Sequence, residues 1–111
     1  MRLMHLAATG LISLTIAFSP GNGAGVHHWT LRCSPPGGTL PQAAAACRRL
    51  QDFTEDPFAP VPPDTICTAI YGGPETARVT GTYRGQKVNA VFNRRNGCEI
   101  ARWKRLSFLF R

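Results

Sequence analysis

The chain has 111 residues, a length that predicts a single domain. It is 43% hydrophobic and 17% charged, which excludes an intrinsically disordered chain. The net charge of +7 would attract anionic partners, but the basic residues form separate small groups without a run of interleaved aromatic residues, so we expect neither nucleic acid nor a membrane as partner. These groups are Arg48-Arg49, Arg94-Arg95 and Arg102-Trp103-Lys104-Arg105.

The first 33 residues allow two interpretations. Arg2 followed by an apolar run is typical of a secretory signal, but no small-residue cleavage site follows Phe18. Apolar and small or polar residues alternate over 12–19, which favours a strand joined through the turn at 21–23 to a second strand over 26–33. We therefore assign residues 1–11 to a leader or disordered N-terminus, with a signal remnant as one interpretation of it, and residues 12–111 to the domain. The signal interpretation remains the alternative.

Four cysteines stand out in so short a chain, at Cys33, Cys47, Cys67 and Cys98. An even number predicts two disulfides in an oxidising compartment, and hence a secreted protein, although sequence order alone leaves three connectivities open. A metal site is not expected, because no CxxC pair is present and His27 and His28 are adjacent, which places them on opposite faces of a strand.

The remaining elements follow in chain order. Residues 42–51 carry the strongest helix pattern, with Pro41 in a tolerated first-turn position and Thr39 as a candidate cap. Residue types alternate over 76–82 and over 86–93, which predicts two strands. Arg84-Gly85 between them predicts a hairpin turn. We predict a short helix over 99–105 and a terminal strand over 107–110.

An exposed loop is predicted over residues 67–74, Cys67-Thr68-Ala69-Ile70-Tyr71-Gly72-Gly73-Pro74. The preceding stretch, residues 56–64, is too rich in proline for a helix or a central strand, and Gly72-Gly73-Pro74 closes the loop with turn residues. A short peptide held extended at a surface is typical of a binding device.

This loop and several other motifs resemble the Streptomyces subtilisin inhibitor family. The resemblance covers roughly residues 14–106 and includes the four cysteines in order. Its matching pieces are Thr30-Leu31-Arg32-Cys33, Pro36-Gly37-Gly38-Thr39, Ala45-Ala46-Cys47, residues 56–63, residues 67–74, Val79-Thr80-Gly81-Thr82 and Asn96-Gly97-Cys98-Glu99. It implies an α+β fold in which two helices pack on a five-stranded antiparallel sheet.

The resemblance also implies a function and its residues. The disulfides would be Cys33–Cys47 and Cys67–Cys98, and the scissile bond would be Ala69–Ile70. The small side chain of Ala69 would enter the primary pocket of a subtilisin-like or elastase-like serine protease, whereas a trypsin-like pocket requires a cation. The implied protein is a secreted inhibitor without enzymatic activity or cofactor, with a homodimer as a further expectation.

Five neighbouring residues complete the implied site. Cys67, Thr68, Tyr71 and Gly72 would contact the protease, and the amide of Asn96 would hydrogen-bond loop carbonyls. Thr68 and Tyr71 also fit ordinary strand positions, and Asn96 fits an ordinary turn.

Two other function classes stay open at this stage. One is a cationic binding or antimicrobial module acting through its arginines, and the other is a small secreted enzyme using a carboxylate pair drawn from Glu55, Glu75 and Glu99.

Overall fold

The computed structural model describes residues 11–111, so the predictions made for residues 1–10 lie outside the described part of the chain. Within residues 11–111 there are four strands and two helices: β1 Ile12–Ser19, β2 His27–Cys33, α1 Ala43–Gln51, β3 Thr76–Tyr83, β4 Gln86–Phe92 and α2 Gly97–Arg105. A short 3₁₀ helix, Ser107–Leu109, follows α2. The predicted strands and helices are confirmed to within two residues at each end, apart from the terminal strand.

The sheet is antiparallel with strand order β2-β1-β3-β4. β1 is therefore central and pairs along its whole length with β3, from Ile12 opposite Tyr83 to Ser19 opposite Thr76. The alternation that predicted this strand reflects its two faces, because Ile12, Leu14 and Ile16 are buried while the residues between them face outward.

The core lies between one face of the sheet and the layer formed by α1, α2 and the 3₁₀ helix. Its fully buried side chains come from both layers, for example Ile16 and Phe92 from the sheet and Leu50 and Leu106 from the helical layer. The Cys33–Cys47 disulfide ties β2 to α1. The guanidinium of Arg84 donates to the carbonyl oxygens of Gln51 and Phe53, so the β3–β4 turn also holds the C-terminal end of α1.

The predicted fifth strand is wrong: the sheet of residues 11–111 has four strands, and the segment predicted as the terminal strand contains the 3₁₀ helix. Leu106 and Leu109, three residues apart, are both fully buried, and Phe110 beside them packs on Trp103 with ring centroids 4.6 Å apart. A strand would turn Leu109 and Phe110 to opposite faces, whereas one helical turn directs this apolar cluster to the core.

The predicted cap of α1 is also wrong. Gln42 occupies the N-cap position in the left-handed region, and its side chain makes no capping hydrogen bond. Thr39 instead exchanges hydrogen bonds with Thr30 of β2. This contact joins segments nine residues apart, and local sequence pattern carries no signal for it.

Candidate functional site

The 67–74 loop lies on the surface between the proline-rich segment and β3, without regular secondary structure. Its middle residues expose apolar side chains: Ile70 is 56% and Tyr71 68% exposed, and Ala69 is exposed as well. Just before the loop, Ile66 is 97% exposed. Grouped apolar side chains in one exposed segment are typical of an interaction surface.

The N-terminal half of the loop is fixed to the beginning of α2. The Cys67–Cys98 disulfide provides a covalent link, with 31 residues of sequence separation. One residue further along the loop, the carbonyl oxygen of Thr68 accepts a hydrogen bond of 3.0 Å from the backbone N–H of Gly97. A Cβ at position 97 would collide with Thr68 Oγ1, so glycine permits this close approach.

Asn96 supports the loop indirectly. Its Oδ1 accepts the backbone N–H of Glu99 at 2.9 Å and so caps the N-terminus of α2. In place of the predicted hydrogen bond from the Asn96 amide, the Gly97 N–H bonds the loop carbonyl; within residues 11–111 the amide makes no hydrogen bond to the loop. The cap fixes the turn that presents the Gly97 N–H to Thr68.

The C-terminal half of the loop is fixed by Arg94, which in the sequence is marked only as part of a small basic group. The backbone N–H of Gly72 donates to the Arg94 carbonyl at 2.6 Å, and Arg94 Nη1 donates to the Gly72 carbonyl at 2.6 Å. The same Nη1 lies 3.3 Å from Glu75 Oε1, which helps to orient the guanidinium. Arg94 Nε is buried and has no partner in the described chain, so the guanidinium holds the loop through Nη1.

Two glycines allow this packing. A Cβ on Gly72 would lie 2.9 Å from Ile100 Cδ1 and 3.2 Å from Arg94 Cβ, so a larger residue would push the loop away from α2. Gly73 has a φ of +139°, which side chains rarely adopt, and a Cβ there would collide with Glu75 Oε1. The glycine pair is therefore needed for close approach as well as for the turn.

Between these two anchors lies a span of three residues, Ala69, Ile70 and Tyr71. In the described part of the chain their backbone groups make no backbone hydrogen bond to the rest of the protein. The arrangement leaves this peptide free to pair with an extended groove on a partner while both of its ends stay fixed.

The proline-rich segment before the loop is fastened by Arg102, a side chain only 5% exposed. Its Nε donates to the Ala59 carbonyl at 2.9 Å, its Nη2 to the Phe58 carbonyl at 3.1 Å and its Nη1 to the Val91 carbonyl at 2.7 Å. Burial lowers the pKa of Arg102 from its usual value, and the nearby Glu99 opposes that shift.

Arg102 is therefore buried, although the sequence places it in a run of basic residues. The helix turns Arg102 and Trp103 inward and leaves Lys104 and Arg105 exposed. A run of charges in the sequence does not reveal which face of a helix each residue occupies.

The structure brings the sequence-predicted site residues together. Cys67, Thr68, Ala69, Ile70, Tyr71 and Gly72 form the loop, with Cys98 and Asn96 beside it. Cys33 and Cys47 act elsewhere, between β2 and α1. Of the carboxylates weighed for an enzyme, Glu75 pairs with Arg94 and Glu99 with Arg102.

Comparison with known proteins identifies the family. The model of the family described as subtilisin inhibitor-like matches residues 8–96. The chain belongs to the subtilisin inhibitor-like family. Among curated relatives, protease inhibitor SIL-V2 of Streptomyces orinoci is 34% identical over 109 residues, covering 95% of this chain and 99% of that protein.

A second curated relative also supports membership of the subtilisin inhibitor-like family, and a solved structure shows the fold. Subtilisin inhibitor-like protein 1 of Streptomyces cacaoi is 37% identical over 76 residues, covering 64% of this chain and 67% of that protein. The crystal structure of Streptomyces caespitosus sermetstatin, in complex with Bacillus licheniformis subtilisin, aligns with a TM-score of 0.55 at 23% identity, covering 87% of this chain and 93% of that one. This structural likeness establishes a shared fold.

Proposed function

We propose that this protein is a secreted serine protease inhibitor that presents the Ala69–Ile70 bond to subtilisin-type proteases. The observation that carries the proposal is the suspension of Ala69, Ile70 and Tyr71 between two anchors, the Thr68–Gly97 and Gly72–Arg94 hydrogen bonds. Family membership and the names of the curated relatives, a protease inhibitor and a subtilisin inhibitor-like protein, support it. They also support a role as an inhibitor and not as an enzyme.

The anchored loop explains how a peptide can occupy a protease without being consumed quickly. A serine protease binds its substrate as an extended strand and attacks one carbonyl carbon with its serine. A flexible peptide loses conformational entropy when it binds, whereas this loop is already ordered by the disulfide and by the hydrogen bonds at Thr68 and Gly72. More of the contact energy is then available as affinity.

The fate of the cleaved bond follows from the same anchors. Attack at the Ala69 carbonyl would form an acyl-enzyme and release the amine of Ile70, which stays beside the acyl group because Gly72 is tied to Arg94. That amine can displace the protease serine and restore the peptide bond before water completes hydrolysis. Binding is then tight and turnover slow.

Specificity is assigned to Ala69, whose methyl group suits the pockets of subtilisin-like and elastase-like enzymes. It supplies no cation for a trypsin-like pocket. Thr68, Ile70, Tyr71 and Gly72 provide the flanking contacts, with the Tyr71 ring as a rigid aromatic surface.

Two other features belong to the proposal. Secretion is supported by the two disulfides, which persist in oxidising compartments. A homodimer could use the sheet face opposite the helical layer, where Thr30, Thr15 and Thr80 lie side by side across three strands. Sedimentation velocity of the purified protein tests the dimer.

The experiment that tests the function is titration of purified subtilisin, elastase and trypsin with the protein. We expect stoichiometric loss of subtilisin activity, weaker inhibition of elastase and unchanged trypsin. Salt-sensitive binding to anionic polymers, with every protease fully active, would instead favour the cationic binding module.

A further inference from the structure

The two halves of the 67–74 loop are anchored by different means. The N-terminal half carries a disulfide at Cys67. The C-terminal half has no covalent anchor: it continues through Gly72-Gly73, the most flexible residue type, before β3 begins at Thr76. The position of the chain after Ile70 therefore depends on the hydrogen bonds to Arg94.

We propose that Arg94 is a positioning residue that holds the amine of Ile70 beside the Ala69 acyl group after cleavage, so that the bond re-forms. This inference rests on the proposed inhibitory function. Hydrolysis adds one water and leaves a carboxylate on Ala69 and an ammonium on Ile70; re-formation returns the water. Only a tethered amine is present at an effective concentration high enough to compete with hydrolysis.

The geometry makes the side chain of Arg94 the decisive part. Its Nη1 donates a charge-assisted hydrogen bond of 2.6 Å to the Gly72 carbonyl, two residues after the new terminus. Gly73 leaves space for the Arg94–Glu75 pair, since a Cβ there would collide with Glu75 Oε1. The hydrogen bond from the Gly72 N–H to the Arg94 carbonyl is made by the backbone and would remain after truncation of the side chain. It would then hold Gly72 without the second hydrogen bond from Nη1.

The chain offers a matched control in Arg95. It is exposed, its backbone N–H bonds Asn93 Oδ1, and its side chain makes no hydrogen bond to the loop within residues 11–111. Arg94→Ala and Arg95→Ala each remove one positive charge, and only the first removes the side-chain hydrogen bond to the Gly72 carbonyl. Glu75→Gln keeps Arg94 and weakens only the ion pair that orients its guanidinium.

The measurement is the equilibrium ratio of cleaved to intact inhibitor, approached from both forms with a catalytic amount of subtilisin. We expect Arg94→Ala to raise the ratio about ten- to hundredfold, the effect of losing a hydrogen bond to a charged group, and to make inhibition temporary. Glu75→Gln should raise it less, and Arg95→Ala should leave it unchanged. Equal ratios for Arg94→Ala and Arg95→Ala would overturn the proposal.

Amide hydrogen exchange at Gly72 separates this inference from the proposed function. It needs no protease, and we expect exchange at least about tenfold faster in Arg94→Ala than in Arg95→Ala if Arg94 holds the loop. If the wild-type protein fails to bind subtilisin, the inhibitory function is lost and the exchange result alone decides whether Arg94 is an anchor. Equal exchange in the two folded variants would exclude the anchor itself.

Discussion

Arg102 Nε lies 2.9 Å from the carbonyl oxygen of Ala59, and this hydrogen bond joins α2 to the proline-rich segment that leads into the 67–74 loop. The same guanidinium stacks 3.9 Å from the centroid of the Phe92 ring in β4. One buried side chain therefore connects the segment, the sheet and the helix whose beginning holds Thr68.

Arg102→Ala should destabilise the protein strongly. It would leave the carbonyl oxygens of Phe58, Ala59 and Val91 without their donor, so we expect a loss of about 3 kcal/mol or more in the free energy of unfolding. Urea unfolding measures this loss. The control is Arg105→Ala, an exposed change expected to stay within about 0.5 kcal/mol; equal midpoints for the two variants would contradict the role of Arg102.

Tyr83 should make stability depend on alkaline pH. Its hydroxyl donates to the Leu50 carbonyl at 2.7 Å, and burial raises its pKa above the usual value of 10.0. A raised folded-state pKa means that its contribution is complete below the unfolded-state value and is lost as pH rises from there through the folded-state pKa.

The free energy of unfolding is measured for both proteins from pH 8 upward. Above about pH 10 it should fall more steeply with pH in the wild type than in Tyr83→Phe. At neutral pH this variant should lose only about 1 kcal/mol, the net value of one hydrogen bond. The same alkaline slope in both proteins would show that Tyr83 does not control it.

Removing each disulfide in turn should have different effects on inhibition and on stability. Replacing Cys67 and Cys98 by serine frees the N-terminal half of the loop, so inhibition of subtilisin should weaken at least about tenfold. Replacing Cys33 and Cys47 should lower stability by about 3 kcal/mol, since that bridge closes a segment with a sequence separation of 14. Inhibition by the second variant, measured where it remains folded, should be retained; the reverse ranking would count against the anchored loop.

Specificity should follow the side chain at position 69. Ala69→Lys should create inhibition of trypsin, because its ammonium can pair with an acidic pocket, while subtilisin is still bound. Ala69→Pro should abolish inhibition of subtilisin and create none of trypsin, since the ring and the missing N–H disrupt the extended backbone. The measurement is the inhibition constant of each variant against subtilisin and against trypsin. Arg48→Ala on α1 is the surface control, and its effect should be confined to association rate and salt dependence.

Sequence patterns were sufficient where the structure is local. Alternation located β1 through its buried Ile12, Leu14 and Ile16, and turn residues located the β3–β4 hairpin at Arg84-Gly85. The family resemblance supplied the Cys67–Cys98 pairing, which spacing alone left open.

The sequence did not predict contacts between residues that come together only in the folded chain. Arg94 reaches a loop 22 residues earlier, and Arg102 reaches a carbonyl 43 residues earlier, so neither has a local pattern that marks its partner. The terminal segment was assigned as a strand because its residues are apolar, yet burial of Leu106 and Leu109 against the core favours a single helical turn.

The position of the reactive bond is the central claim, and the identity of the new amino terminus tests it most directly. The protein is incubated with a catalytic amount of subtilisin until some of it is cleaved, the disulfides are reduced, and the fragments are sequenced from their amino ends. We predict that the fraction that inhibits the enzyme, sequenced after reduction, contains one new chain beginning Ile70-Tyr71-Gly72-Gly73. A first cut at any other bond, or inhibition that survives removal of residues 69–71, would contradict it.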